Sequence, residues 1–187
     1  MARQKHNAVM YNTRGMFAKQ VVFKERGGRV YVSGPPNTKD NRVPTDPQQV
    51  VQDRFKEATE YAKAVMELPD LKAAYKKVAN RRQTAYNMAF KDAFTPPTVT
   101  HLFVNGYRGV TGDTIIVQAK DDFKVNNVKV AIFNSAGELI EEGACEIIDK
   151  KSWRYTVTQA NASVAGTKIK ASAFDIPENE GSMEVTM

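Results

Sequence analysis

The segment Phe94-Thr95-Pro96-Pro97-Thr98 separates two rhythms in this chain. Upstream of it, apolar residues recur three and four apart, as a helix buried along one stripe requires. Downstream they alternate with polar residues, the period of a strand covered on one face. Two adjacent prolines suit neither pattern, because proline lacks the amide donor and pushes the residue before it out of the helical region. The reading is of two domains, residues 1–97 and 98–187, joined at the prolines.

Beyond Pro97 the alternation recurs in Ile115, Val117 and Ala119 (broken by Ile116), then in Val128, Val130 and Ile132, in Trp153, Tyr155 and Val157, and in Ile169, Ala171 and Ala173. It ends with Met183, Val185 and Met187. With further strands near Thr100–Val104 and Glu138–Gly143, this makes about seven short strands. Turn signals stand between them at Gly112-Asp113, Asn126-Asn127, Ala136-Gly137 and Ala165-Gly166. Short strands at such spacing predict two antiparallel sheets packed face to face.

Upstream, Asp46-Pro47-Gln48-Gln49 combines an N-cap acid, a proline in the first turn and a glutamine at N3, a strong helix start. Val51, Phe55, Ala58, Ala62 and Val65 then form one stripe, with Lys56, Glu60 and Lys63 facing water. Pro69 opens a second helix with Leu71, Ala74, Tyr75 and Val78 on its apolar side. A third, over residues 83–93, buries Tyr86, Ala89, Phe90 and Ala93. Before the helices, residues 19–33 read as a hairpin turning on Gly27-Gly28. A two-residue loop pairs Phe23 with Val32 and puts Val21, Phe23, Val30 and Val32 on one face. Residues 33–45, with one glycine and three prolines, read as an extended loop. The fold class is an α+β N-terminal domain, a β-hairpin plus about three helices, followed by an all-β sandwich.

Two resemblances follow from particular motifs. The run Gly112-Asp-Thr-Ile-Ile-Val-Gln-Ala-Lys-Asp-Asp122, then Val128-Lys-Val-Ala-Ile-Phe133, Ala136-Gly-Glu-Leu-Ile-Glu141, Trp153-Arg-Tyr-Thr156 and Ile169-Lys-Ala-Ser-Ala-Phe-Asp175, resembles bacterial immunoglobulin-like domains. The likeness covers residues 98–187 and implies an immunoglobulin-like sandwich, although the cysteine pair of antibody-type domains is missing. Gly15-x-x-x-Lys-x-Val-Val-Phe23, the Gln49-x-x-x-x-Arg-Phe55 helix start and Ala85-Tyr-Asn87 are similar to small uncharacterised proteins of bacteria and their phages. That likeness carries no activity; it implies assembly components, often encoded by mobile elements.

Composition bounds the rest. The 187 residues are 42% hydrophobic, the ordinary globular range, and disorder is not expected. No run approaches the ~18 apolar residues of a membrane helix, and Met1-Ala-Arg-Gln-Lys-His-Asn7 leads into no apolar signal core. The expectation is synthesis in the bacterial cytoplasm, and no membrane partner. The single Cys145 cannot form an internal disulfide and reads as a buried packing thiol. Residues 1–97 carry 18 Lys and Arg against 9 Asp and Glu, whereas residues 98–187 carry 9 against 12. Halves of opposite sign suit either an anionic partner or copies that attract head to tail.

Catalysis needs convergent nucleophiles, acids or ligands, and none stands at telling spacing. His6 and His101 are far apart in sequence, and no phosphate-loop, nucleophile-elbow or zinc-helix motif occurs. No catalytic residue, cofactor or metal is expected. Asp121 and Asp122, with Asn126, Asn127 and Asp175, have the oxygens for calcium, but turn-capping explains the same residues. The candidates for an anionic partner are Lys24, Arg26, Arg29 and Tyr31 on the hairpin, joined by Lys76, Lys77, Arg81 and Arg82 from the helices. Residues 1–12 read as a mobile tail or as an arm that adds a strand to a neighbouring copy.

The function expected is that of a structural assembly protein, a phage virion component (capsid-associated, connector or tail) acting through contacts with other protein subunits in a homo- or hetero-oligomer. Nucleic-acid binding through the basic N-terminal domain is the first alternative. A cell-surface or carbohydrate-binding module, with Phe103, Tyr107, Phe123 and Phe133 as the aromatics, is the second.

Overall fold

A computed structural model of the chain describes residues 2–3, 13–26, 28–35 and 43–187. They belong to two compact units, Met1–Thr45 and Asp46–Met187.

The first unit is an antiparallel sheet of β1 (Ala2–Arg3), β2 (Gly15–Phe17), β3 (Val21–Arg26) and β4 (Arg29–Ser33), in the order β1-β4-β3-β2. The hairpin has the register read from the sequence: Phe23 faces Val32, and Arg26 faces Arg29 across the turn. Gly28 holds φ +72 there, a conformation glycine adopts without cost; Gly27 lies outside the described residues. The turn between β2 and β3 is less obvious. Ala18 and Lys19 both hold positive φ, 49 and 55, and the Gln20 amide donates to the Phe17 carbonyl at 3.0 Å. That is the mirror-image hairpin turn, built without the Asn or Gly it favours. In the expected loop, residues 36–42 lie outside the described residues.

The second unit opens with α1 (Asp46–Glu67), α2 (Pro69–Val78) and α3 (Ala85–Phe94). The Thr84 hydroxyl caps α3 by accepting from the Asn87 amide at 3.2 Å. Ala62 and Val65 of α1, Tyr75 of α2, and Ala85, Met88 and Ala89 of α3 close a small apolar cluster. The stripe expected on α1 is buried only from Ala58 onward. Val51 and Phe55 remain more than half exposed. For Val51 the reason is length: α1 has 22 residues and α3 only 10, so the start of α1 runs past the end of its partner. Phe55 still meets Phe90 and Phe94, at ring separations of 5.0 and 6.5 Å.

The strands that follow are β5 (Thr98–Phe103), β6 (Thr114–Lys120), β7 (Asn127–Phe133), β8 (Leu139–Ala144), β9 (Glu146–Ile147), β10 (Ser152–Thr156), β11 (Lys168–Phe174) and β12 (Glu180–Thr186). They form two antiparallel sheets, β5-β6-β10-β9 and β12-β11-β7-β8. The alternating residues of β6, β7, β10 and β11 make the core between them, with Ile115, Val130, Ile132, Ile169 and Ala171 fully buried. This is the sandwich that the two-residue period predicts. The strand not foreseen is β9, whose two residues are too few to alternate visibly.

In β5 the register slips between Val99 and His101, so Thr100 is an inserted residue, its hydroxyl donating to the Gln118 carbonyl at 3.1 Å. Parity changes at that point. Val99 is buried, whereas His101 and Phe103 lie outside, stacked at 5.6 Å.

The division expected at residue 97 separates the two apolar clusters but not the two compact units. The helices stay with the sandwich because several bonds cross that point. Asn179 donates to the Ala93 carbonyl at 3.2 Å, Lys91 pairs with Asp122 at 2.7 Å, and the Phe123 ring lies 4.2 Å from that of Tyr75. The helical clusters are too small to stand alone, and the bonds that complete them come from residues far downstream.

Candidate assembly surfaces

The sheet of the first unit has two unlike faces. Phe17 pairs with Val21 and Phe23 with Val32, which groups these residues with Val30 on one side. Lys24 pairs with Tyr31 and Arg26 with Arg29, which groups positions 24, 26, 29 and 31 on the other. The grouping of Val21, Phe23, Val30 and Val32 read from the sequence holds. What the alternation did not foretell is that no described residue of this unit is buried, and Phe17 is 70% exposed. Fully burying a phenylalanine is worth ~1.5–3 kcal/mol, and this unit leaves that term uncollected.

Drawing the boundary at residue 45 also changes the charge picture. Residues 1–45 hold 9 Lys and Arg against 2 Asp and Glu, while residues 46–187 hold 18 against 19. All of the net positive charge therefore resides in the first unit. The eight anionic-partner candidates fall into two sets of four, one in each unit. In the first, Lys24 and Arg29 are exposed and Tyr31 is half-buried. In the second, Lys76, Lys77, Arg81 and Arg82 are all exposed. Lys76 and Lys77 occupy the last turn of α2, where the helix dipole favours cations whatever else they do.

The arm expected from residues 1–12 is described only at Ala2–Arg3. These two residues pair with Val32 and Tyr31 of their own chain, so the edge of β4 is already occupied at that point. His6 lies outside the described residues.

The titratable side chains that the structure gathers were not singled out together by sequence. Tyr75 and Asp92 are fully buried in the helical layer, and Asp175 is fully buried at the end of β11. The Tyr75 hydroxyl donates to Asp92 Oδ2 at 2.5 Å and lies 2.9 Å from the hydroxyl of Tyr61. Asp92 Oδ1 and Asp121 Oδ1 are buried and accept from no donor among the described residues. Burial, together with the neighbouring Asp121 and Asp175 carboxyls, raises Asp92 to about 8. Asp175 is also raised by burial, against the opposing pull of Asn179, whose amide donates to Oδ1 at 2.7 Å. With Tyr75, Asp92 and Asp175 closed to solvent, this cluster is a packing joint. Its signal in the sequence was weak, because three aspartates and two tyrosines spread over 115 positions share no spacing.

Of the residues weighed for calcium, Asp121 and Asp175 neighbour Asp92 in this cluster. Asp121 Oδ2 accepts from the Phe123 and Lys124 amides, and Asp122 is paired with Lys91. Among the described residues no group of three or more His, Cys, Asp or Glu side chains is arranged to hold a metal ion. The aromatics considered for a carbohydrate face form no row: Tyr107 is buried, bonded to Asn161 at 3.1 Å, and Phe123 is turned against Tyr75. Cys145 is half-buried against the sandwich core, and burial pushes its thiol up to about 12.

No family model matches the chain. No curated protein matches it either. Among solved structures it is similar to an engineered protein, at 14% identity and a TM-score of 0.33, covering 55% of this chain and 25% of that one. It is also similar to a conjugative transposon lipoprotein from Bacteroides eggerthii, at 13% identity and a TM-score of 0.28, covering 49% of this chain and 93% of that one. The chain thus spans a quarter of the length of the engineered protein.

Proposed function

We propose that this chain is a structural assembly protein whose first unit docks on other protein subunits through the apolar face of its sheet. The observation that carries this reading is the four-stranded sheet itself: Phe17, Val21, Phe23, Val30 and Val32 share a side, yet no described residue of the unit is buried. Small sheets need a second layer to be stable, and a subunit contact supplies one. A second uncovered patch on α1, formed by Val50, Val51 and Phe55, supports the same reading. The more particular assignment, a phage virion component, rests on the likeness of the N-terminal motifs to small phage and bacterial proteins.

The sandwich of this reading is immunoglobulin-like. Its strand orders correspond to the A-B-E-D and G-F-C-C′ sheets of that fold, with β9 and β10 as D and E. Residues 98–187 then act as a projecting or bridging module, and the partners are other copies or other subunits of a particle.

The test is light scattering and negative-stain microscopy of the full chain over a wide concentration range, alone and with the products of adjacent genes. Association that is lost in Phe17→Glu supports the proposal. A monomer at every concentration that joins no neighbour overturns it.

A second reading, nucleic-acid binding, draws on the Lys24–Tyr31 and Arg26–Arg29 pairs and on the charge of the first unit. It requires affinity that falls steeply with salt, since each neutralised phosphate releases counterions. Binding that Lys24→Glu with Arg29→Glu leaves unchanged excludes this face.

A further inference from the structure

Beside the first sheet of the sandwich, the connection from β6 to β7 and the segment from β9 to β10 border a groove of about 670 Å³. Small-molecule sites commonly enclose ~300–1,000 Å³, with an apolar lining and a few polar groups. The apolar lining here is Phe123, Val125, Ile147 and Trp153. Trp153 is 4% exposed and belongs to the core, whereas Ile147, on the edge strand β9, is 71% exposed. Lys120, Lys124, Lys150 and Lys151 also line the groove; all four are exposed, and none forms an ion pair among the described residues.

Two carboxylates line it as well, and backbone amides engage both. Asp121 Oδ2 accepts from the Phe123 and Lys124 amides at 3.1 and 3.0 Å. Asp149 Oδ1 accepts from the Lys151 amide at 2.7 Å. They pin the two borders in shape and offset only part of the charge, since four ammonium groups face two carboxylates. Aliphatic lysine stems cover apolar surface while their heads stay in water, so the lining is apolar and the rim cationic.

We propose that this groove binds a small amphipathic anion, an aromatic or aliphatic body carrying a phosphate or carboxylate, with the body against Phe123, Val125 and Trp153 and the charge among the four lysines. None of its residues lies in the first unit or on α1.

Trp153 is the only tryptophan of the chain and reports from the groove. The test is calorimetry and tryptophan emission of the full chain titrated with 1-naphthyl phosphate, inorganic phosphate and 1-naphthol. Naphthyl phosphate should bind once per chain, change the emission and exceed each of the other two by roughly tenfold or more. Added salt should weaken it, and Lys124→Glu with Lys150→Glu should weaken it by roughly tenfold, whereas Lys63→Glu on α1 should not. The salt series needs no variant, so the charge requirement is tested even where the double substitution misfolds. Absence of saturable binding, equal binding of 1-naphthol, or indifference to both salt and charge reversal overturns the proposal. Displacement of naphthyl phosphate by an equimolar acidic peptide overturns the small-molecule assignment in favour of a protein segment.

Discussion

The Tyr75 hydroxyl donates to Asp92 Oδ2 at 2.5 Å, joining α2 to α3 inside a layer where both side chains are fully buried. Another carboxyl, that of Asp121 just past β6, neighbours Asp92. One bond thus ties two helices together at the place where they meet the sandwich.

The pH dependence of stability follows. Burial, with Asp121 and Asp175 nearby, raises Asp92 to about 8 in the folded chain, against ~4 when unfolded. Between those values the folded state holds the extra proton, so stability declines as pH rises through the window, by up to ~1.4 kcal/mol per pH unit from this group alone. Below the window the contribution is fully present, and above it the loss is complete. Asp175, also raised, acts in the same direction. Urea unfolding at pH 5 and pH 8 measures the slope. Asp92→Asn keeps an acceptor for Tyr75 and removes the titration, so it should flatten the curve and be the more stable protein at pH 8. A wild-type curve already flat across this range would sink the reading of Asp92 as a carboxyl held protonated by burial.

Ala18 and Lys19 carry the positive φ values of the turn between β2 and β3. Each left-handed non-glycine residue costs ~1–2 kcal/mol, and Asn-Gly is the favoured pair for this turn. Ala18→Asn with Lys19→Gly should stabilise the hairpin by ~1 kcal/mol or more, read as slower amide exchange in β3. Unchanged or faster exchange would mean that these residues do not hold the turn as described.

A methyl built on Gly181 would stand 1.7 Å from the Pro97 carbonyl oxygen, a backbone atom with no freedom to swing away. Gly181→Ala should therefore cost ~2 kcal/mol or more, as β12 is forced off the chain entering β5. Gly112→Ala is a useful contrast: nothing stands within 4 Å of its built methyl, but its φ is +93, so its cost should stay nearer ~1 kcal/mol. Equal denaturation midpoints for the two variants would contradict the close approach.

Cys145 should react slowly with thiol reagents at pH 8 in the native protein and at the ordinary rate in urea, because the thiolate is the nucleophile and burial holds the thiol up near 12. Native labelling as fast as that of the unfolded chain would show the thiol to be open to solvent.

How much of this was legible in the residues depends on the range over which the forces act. Chain-local rules settled the register of the hairpin, where a two-residue turn leaves one pairing of Phe23, and the start of α1 at Asp46-Pro47. They also settled the inward positions of β6, β7, β10 and β11. Periodicity could not say how far a stripe is covered. Val51 obeys the helical spacing of Phe55 and Ala58, but α3 is too short to shelter the whole of α1. Tyr107 looked like a surface aromatic because the side chain that bonds it, Asn161, is 54 residues away.

By itself the sequence determined the three helices, the hairpin and the longer strands of the sandwich, the change of period at Pro96-Pro97 and the excess of positive charge towards the N-terminus, since these depend on neighbours a few positions apart. Only the tertiary structure decided that the helices share a compact unit with the sandwich, that Asp92, Asp121 and Asp175 meet, and that four lysines line a groove beside Trp153. Burial and charge act through space, and chain folding brings into contact residues whose separation along the backbone carries no trace of their meeting.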